Sequence, residues 1–366
     1  MRSLINLKGL LIFFLLFVFN NSNSNECLSK KELNIGLIKN KYIDYKYYLY
    51  YAIGDYSLSN DIEFTISEVS QNTNEFDIIF GEYRDLEKLS LNQIQIPDKV
   101  LNFYNDNEIE ILGNLFPLDL DTFILLSKDN HQRLSFEEFS ELYNPIKYTL
   151  GMSFHSKEDI INLLIYHLEK PSININSVSF ELIANLFLKT YENLNKNILY
   201  NNFLEVYNSF ENAEIIYTLF SDGIVLNKNT SFESFQLFPK SKYIWSDDEG
   251  FFKQNLETKP LSFYGFSAYL NNSKSSGLLC YLVDENVRLK AFKDFNIQLS
   301  PLSINEVKNI QNELPSQYLD ILRLKNKNII IPDYQSDLKY IDNITDIMLR
   351  KKNHLDIIGT SNYLNF

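Results

Sequence analysis

The stretch 74–84, NEFDIIFGEYR, determines how the rest of the chain is interpreted. The segment FDIIF at 76–80, which is apolar apart from Asp77, is short enough for a buried parallel strand. Gly81 and three polar or aromatic residues, Glu82, Tyr83 and Arg84, follow this run directly. Because the end of a buried strand is a common place for functional side chains, these four positions are candidates for a site.

Short apolar runs alternate with longer helical patterns along the chain, which favours an α/β fold. Besides 76–80, strands are predicted at 33–38, 62–69, 118–126, 148–153 and 263–270. Helices are predicted at 45–56, 135–143, 156–170, 180–200, 200–210 and 275–292, with two or three more within 304–366. Residues 213–223 fit either a helix or a strand.

Length and composition limit the class of protein. A chain of 366 residues is too long for one ordinary core, so we expect two lobes of roughly 150–180 residues. With 45% hydrophobic and 22% charged residues, the composition is that of a globular protein. The formal net charge of −13 argues against a nucleic-acid partner or an anionic membrane surface, since both require clustered Lys and Arg.

The N-terminus has the three-part pattern of a secretory signal peptide, predicted at residues 1–25. Arg2 and Lys8 precede the apolar run 10–19, and small and polar residues follow it. The run is short for a membrane span, and an uncleaved anchor is the alternative. Later segments contain no run of 18 apolar residues, so the exported body of the protein is expected to be soluble. Lipidation at Cys27 is disfavoured because the charged Glu26 precedes it.

The two cysteines, Cys27 and Cys280, leave two alternatives open. In an oxidising compartment they can form a disulfide. The favoured alternative is that Cys280, which lies in the apolar run SGLLCYL, is a buried free thiol.

Catalytic and metal-binding motifs are scarce. The sequence has no G-x-S-x-G motif, Walker loop or G-x-G-x-x-G motif. The four histidines, His131, His155, His167 and His354, lack metal-ligand spacing, so no metal site is predicted. The motif DLDT at 119–122 contains the D-x-D of the D-x-D-x-T motif of haloacid dehalogenase-like phosphatases, but Phe123 stands where that motif has its Thr, and Pro117 interrupts the strand that should precede it.

Five segments, in order, resemble the extracellular solute-binding proteins of ABC importers, in particular the sugar- and maltose-binding group. They are ELNIGLI (32–38), NEFDIIFGEYR (74–84), FPLDLDTFILLSKD (116–129), SFEEFSEL (135–142) and SFYGFSAYLNNSKSSGLLCYLVDENV (262–287). The chain departs from this pattern in having a single tryptophan, Trp245, and in lacking a Gly-rich loop before the last segment.

The resemblance implies an α/β fold of two lobes joined by crossing hinge strands, the type II periplasmic binding protein fold, with a ligand cleft between the lobes. Lobe 1 would comprise 26–117 and 262–310, and lobe 2 would comprise 118–261 and 311–366. It further implies a monomer without a cofactor or enzymatic activity. Such a protein passes a small solute, here favoured to be a sugar, to an ABC permease and its ATPase.

The resemblance also indicates where the ligand would bind. Asp121 is the foremost candidate, and Asp119, two residues earlier, is expected on the same strand face. Gly81 would let the backbone approach the ligand. The other candidates from lobe 1 are Glu82, Tyr83, Arg84, Asn40 and Tyr42. Those from lobe 2 are Gly151, Ser153, Asp222, Trp245 and Glu249.

Several of these residues have a structural alternative. Arg84 and Glu82 can form a surface ion pair, Tyr83 and Trp245 can be packing residues, and Asp119 and Asp222 can belong to turns. The many carboxylates leave a polyamine or other cation as the second ligand class. A secreted phosphatase that uses DLDT and a surface or adhesion protein of the same fold are the remaining alternatives.

Overall fold

The computed structural model describes a large part of the chain. The described residues are 27–28, 30–38, 43–69, 73–89, 94–129, 150–152, 157–169, 172, 203–214, 217–221, 234–237, 242–246, 250–254, 260–295, 308–310, 312, 316–334 and 337.

Strands and helices alternate over much of the described chain. The strands are β1 (Glu32–Leu37), β2 (Glu63–Glu68), β3 (Ile78–Glu82), β4 (Leu115–Pro117), β5 (Leu120–Asp121), β6 (Phe123–Ser127), β7 (Leu150–Met152), β8 (Tyr217–Ser221), β9 (Ser234–Leu237), β10 (Lys242–Ser246), β11 (Gly250–Gln254), β12 (Phe263–Tyr264) and β13 (Phe266–Leu270). The α-helices are α1 (Ile43–Asn60), α2 (Tyr83–Leu86), α3 (Asp98–Asp106), α4 (Lys157–Leu168), α5 (Phe203–Glu211), α6 (Ser276–Leu282), α7 (Glu285–Phe295) and α8 (Ser316–Leu324).

A five-stranded sheet with the order β2-β1-β3-β13-β4 forms the larger part of the core. β1 is parallel to both β2 and β3, and β13 is antiparallel to β3 and β4. Every residue of β3 and β13 is buried, as expected for central strands covered on both faces. The strands predicted at 33–38, 62–69 and 76–80 are therefore confirmed, with small shifts at their ends.

Helix α1 shows why its segment folds as a helix. Its buried residues Tyr48, Leu49, Ala52, Ile53 and Tyr56 recur at helical spacing, so one face packs on the core. The helix contacts α6 and α7. Among the described residues, no helix is both long and apolar enough to cross a membrane.

A four-stranded sheet has the order β7-β8-β6-β9, and its strands lie between residues 123 and 237. The prediction of one strand at 118–126 is wrong, because the chain changes sheets within it. β5 pairs with β12, whereas β6 pairs with β8 and β9. The strand predicted at 263–270 is likewise divided at Gly265 into β12 and β13.

The remaining predictions have different outcomes. The helices at 45–56, 156–170 and 200–210 correspond to α1, α4 and α5, and the strand at 148–153 corresponds to β7. Segment 213–223 contains the strand β8 (Tyr217–Ser221), and segment 275–292 contains two helices rather than one. The hairpin β10-β11 was not predicted. The helices predicted at 135–143 and 180–200 lie outside the described residues, as does the predicted signal peptide.

A disulfide joins Cys27 to Cys280 across 253 residues of sequence. The favoured prediction of a free thiol at Cys280 is therefore wrong. The N-terminal segment lies along α6, where Gly277 N–H donates to the carbonyl oxygen of Leu28 at 2.6 Å. Lys30 then forms an ion pair with Asp77. Sequence spacing does not reveal this pairing, because it depends on where the folded chain returns.

Candidate functional site

Two segments, 118–122 and 261–265, connect the five-stranded sheet to the rest of the chain, and we call them the crossing segments. They pair through β5 and β12, which places Asp121 opposite Phe263. Thr122 Oγ1 also donates to the carbonyl oxygen of Leu261 at 2.8 Å, and this bond is buried. The two passages between sheets are therefore fixed side by side.

A third segment runs alongside the crossing segments. Ser262 N–H donates to the carbonyl oxygen of Asn328, and Ile330 N–H donates to that of Ser262, both at 2.8 Å. A few residues later, the Tyr334 hydroxyl donates to Asn162 Oδ1 on α4 at 2.6 Å. The sequence analysis missed these contacts because a bridge between distant segments leaves no periodic pattern.

Gly265 links two predicted site residues through its backbone. Its N–H donates to the carbonyl oxygen of Asp119 at 3.0 Å, and its own carbonyl oxygen accepts the N–H of Tyr83 at 2.8 Å. Tyr83 is the first residue of α2. The end of β3 and the first crossing segment thus meet at this glycine.

Asp121 lies directly against Gly265. A Cβ at position 265 would be 3.1 Å from Cγ and Oδ2 of Asp121 and 3.3 Å from its Oδ1. The carboxylate therefore occupies the space beside the glycine. Gly265 was not predicted as a site residue, although an isolated glycine within a strand pattern indicates a close approach.

The two aspartates of the first crossing segment differ in exposure. Asp121 is half-buried, whereas Asp119 is only 1% exposed. Asp119 N–H donates to the carbonyl oxygen of Phe266 at 3.0 Å, so its backbone is part of the crossing structure. Of the two residues, Asp121 is the more exposed, although its Oδ1 atom is buried.

Glu82 and Arg84 form an ion pair with each other. Arg84 Nη2 and Glu82 Oε2 are 2.5 Å apart, and their side chains are 12% and 9% exposed. The ion pair that the sequence offered as an alternative is therefore present, but it is buried rather than on the surface. It neutralises one of the carboxylates predicted to contact a ligand.

The Tyr83 side chain is buried against neighbouring residues and does not project into solvent. It is 3% exposed, and its ring makes an edge contact with that of Tyr264 at 5.1 Å between centroids. Burial raises the pKa of Tyr83 well above its usual value, and the neighbouring Glu87, Tyr264, Asp333 and Glu110 raise it further. The Tyr83 hydroxyl therefore stays protonated and lies among acidic groups.

Gly81 has a structural explanation that differs from the predicted one. It lies within β3, opposite Ser267 of β13. A Cβ at this position would be 3.0 Å from Cβ of Ile38. The space that was assigned to a ligand is thus filled by the Ile38 side chain, and the glycine permits packing between neighbouring strands.

The candidates predicted to come from lobe 2 lie on other elements. Gly151 is buried in β7 and pairs with Thr218 of β8. Trp245 lies in β10 opposite Phe251 of β11. The remaining predicted residues fall outside the described part of the chain: Asn40, Tyr42, Ser153, Asp222 and Glu249. They stay predictions.

The DLDT motif occupies the first crossing segment. Its residues take part in an antiparallel pairing with β12, and Asp119 is buried there. Within the described residues, no group of three His, Cys, Asp or Glu side chains is arranged to hold a metal ion.

Comparisons with known proteins identify the fold. No protein-family model and no curated protein sequence matches the chain. Among solved structures, an ABC transporter solute-binding protein from Thermotoga lettingae bound with α-D-tagatose is similar, with a TM-score of 0.66 and 11% identity over 91% of this chain and 98% of that one.

Two further solved structures have similar folds. The maltose/maltodextrin-binding domain from Bdellovibrio bacteriovorus bound to maltotriose gives a TM-score of 0.63 and 12% identity over 91% of this chain and all of that one, 100%. The cyclic α-maltosyl-1,6-maltose-binding protein from Arthrobacter globiformis gives a TM-score of 0.60 and 11% identity, over 90% of this chain and 96% of that one. The chain therefore has the two-lobed α/β fold, with crossing hinge strands, of the ABC solute-binding proteins.

Proposed function

We propose that this protein is a non-enzymatic solute receptor of an ABC importer and that it binds a small carbohydrate between its lobes. The observation that carries the proposal is the position of Asp121, a half-buried residue whose carboxylate lies on Gly265 where the chain crosses between sheets. In open α/β folds, ligands bind in the crevice at strand ends. The three structural relatives are sugar-binding proteins or sugar complexes by title.

The proposed chemistry needs a carboxylate that a sugar can reach. An ionised carboxylate accepts strong, directed hydrogen bonds from sugar hydroxyls. Asp121 would supply them, and the predicted lobe 2 residues would complete the site from the other side. Binding would shift the population toward a closed form that a membrane partner can recognise.

The wider assignment follows from the same proposal. Lobe 1 comprises 26–117 and 262–310, and lobe 2 comprises 118–261 and 311–366. The chain is exported by the signal peptide 1–25, works in the periplasm as a monomer, and passes its solute to a permease with an ATPase. The disulfide supports an oxidising compartment. It also disfavours a lipid anchor at Cys27, because that sulfur is already bonded.

A cationic solute such as a polyamine is the second candidate. The acidic surroundings of Tyr83, from Glu87, Asp333 and Glu110, favour it. The ion pair of Glu82 with Arg84 opposes it, because the pair removes one negative charge from the same region.

The phosphatase alternative has less support. A nucleophilic aspartate must be reached by its substrate, and Asp119 is 1% exposed. Phosphate release from p-nitrophenyl phosphate with Mg²⁺, lost in Asp119→Asn, would count against a receptor. A surface or adhesion role predicts no solute binding at all.

A thermal-shift screen of the exported chain tests the proposal. The panel contains maltotriose, D-tagatose, other sugars and sugar alcohols, putrescine and spermidine. A sugar present at 100 times its Kd should stabilise the folded state by about 2.7 kcal/mol, which raises Tm by several degrees. Calorimetric titration then gives stoichiometry and Kd. A response to polyamines alone would transfer the assignment to a cation, and no response would overturn the receptor.

A further inference from the structure

The Asp121 carboxylate lies very close to the position that a Cβ would occupy at residue 265. Oδ2 and Cγ of Asp121 lie 3.1 Å from the place where a Cβ would be, and Oδ1 lies 3.3 Å from it. This separation is tighter than ordinary van der Waals contact. Any residue larger than glycine would therefore displace the carboxylate.

The backbone of Gly265 does not itself require glycine. Gly113 has a positive φ of 61°, a conformation that glycine adopts without strain, but Gly265 is outside that region. The space occupied by Asp121 is therefore the reason that a side chain is excluded. An alanine here keeps both backbone hydrogen bonds, because only a Cβ is added.

Gly265 is also held firmly in place. Its N–H donates to Asp119 in the first crossing segment, and its carbonyl oxygen accepts from Tyr83 at the start of α2. The surface on which the Asp121 carboxylate lies is thus fixed by the first crossing segment and by the start of α2. The carboxylate itself is the flexible end of its side chain and is the part that can move.

We propose that Gly265 is a positioning residue for solute recognition: it provides the flat backbone surface that sets where the Asp121 carboxylate meets the solute. The inference rests on the proposed function. It assigns a role to a residue that would not itself contact the solute. The specificity of the site then depends on Gly265, between β12 and β13, as well as on Asp121 in β5.

The binding experiment compares Gly265→Ala with Gly54→Ala in the full exported chain. Gly54 is a matched control, because a Cβ at that position in α1 has nothing within 4 Å. With maltotriose and D-tagatose as probes, Gly265→Ala should weaken binding roughly tenfold or more, as expected for a distorted charge-assisted hydrogen bond. Gly54→Ala should keep the wild-type Kd. Equal Kd values for all three proteins would overturn the inference.

A double-mutant cycle shows whether Gly265 acts through Asp121. In an Asp121→Ala background, the carboxylate is gone, so adding Gly265→Ala should change Kd by less than about twofold. A purely structural role for Gly265 would weaken binding by the same factor in both backgrounds. Additive effects would therefore overturn the inference.

A second readout does not depend on any solute. Aspartate labelled with ¹³C at Cγ gives a carboxyl resonance for Asp121, assigned by its loss in Asp121→Asn. Gly265→Ala should shift that resonance in the solute-free protein, and Gly54→Ala should leave it in place. An unchanged resonance in Gly265→Ala would overturn the inference even if that variant were too unstable for calorimetry.

The two proposals fail differently. If neither probe nor any other sugar binds the wild-type chain, the proposed carbohydrate receptor fails, and the carboxyl resonance still tests the contact. If the wild type binds a sugar and Asp121→Ala weakens that binding, the receptor stands. The positioning role then fails if Gly265→Ala leaves Kd unchanged, if its effect on Kd is additive with that of Asp121→Ala, or if it leaves the carboxyl resonance unchanged.

Discussion

Arg84 forms a buried ion pair with Glu82, with 2.5 Å between Nη2 and Oε2. Removing the guanidinium in Arg84→Ala leaves the Glu82 carboxylate buried without this partner. Breaking such a pair is strongly destabilising, so we expect the free energy of unfolding to fall by about 3 kcal/mol. Urea denaturation of the wild type and the variant measures the change.

The double variant Glu82→Gln, Arg84→Met is the control for charge. It replaces both charged groups with neutral ones of similar size, so it should lose less stability than Arg84→Ala alone. A loss below about 0.5 kcal/mol in Arg84→Ala is typical of an exposed pair. That result would show that the pair is solvated and available to a ligand.

The strands and helices that could be predicted are those with a local signal. The run 76–80 is too short for a helix, and its residues 78–80 are buried in β3. In α1 the buried residues 48, 49, 52, 53 and 56 recur at helical spacing. Each pattern depends only on which faces of one element are buried. Of these elements, β3 belongs to the five-stranded sheet, and α1 packs on the same core.

The crossing segments could not be predicted in the same way. Residues 118–126 have the pattern of a single strand, but their pairing partner changes from β12 to β8 and β9 after Asp121. Pairing partners lie far away in sequence, so a single chain gives no local sign of the change. For the same reason Asp121 could be selected by resemblance, whereas the contact of Gly265 with it could not.

The Cys27–Cys280 disulfide should make an important contribution to stability. It closes a loop of 253 residues, and in the chain-entropy model such a loop stabilises the folded state by about 5 kcal/mol. Reduction with dithiothreitol should lower Tm, and Cys27→Ser, Cys280→Ser should match the reduced wild type. Thiol titration of the denatured, unreduced exported chain should find no free thiol. Two free thiols would contradict the pairing.

Buried tyrosines should make the protein sensitive to alkali. Burial raises the pKa values of Tyr48, Tyr104 and Tyr166 far above the ordinary 10.0. Above pH 10 the unfolded chain therefore releases protons that the folded chain retains, so stability falls as pH rises. Each such tyrosine contributes about 1.4 kcal/mol per pH unit to this slope.

Tyr104→Phe tests that slope. Above pH 10 the variant should lose stability less steeply than the wild type, by about 1.4 kcal/mol per pH unit. At neutral pH it should be less stable by about 1 kcal/mol, because the Tyr104 hydroxyl donates to the carbonyl oxygen of Pro117 at 2.8 Å. Tyr47→Phe, at a position 63% exposed, is the control and should leave the slope unchanged. Identical slopes in Tyr104→Phe and the wild type would refute the prediction.

Substitutions at Asp119 and Asp121 should affect different properties. Replacing Asp119 should lower stability, and replacing Asp121 should weaken solute binding. Asp119 is 1% exposed, and buried polar groups are generally hydrogen-bonded, so Asp119→Asn should lower the free energy of unfolding by about 1–3 kcal/mol. Asp121 is half-buried, so Asp121→Asn should change stability little. Its effect should appear as a smaller sugar-induced rise in Tm, because a neutral amide accepts hydroxyl protons less strongly than a carboxylate. If Asp119→Asn instead abolished binding at unchanged stability, the buried aspartate would be the one that meets the solute, and closure would have to expose it.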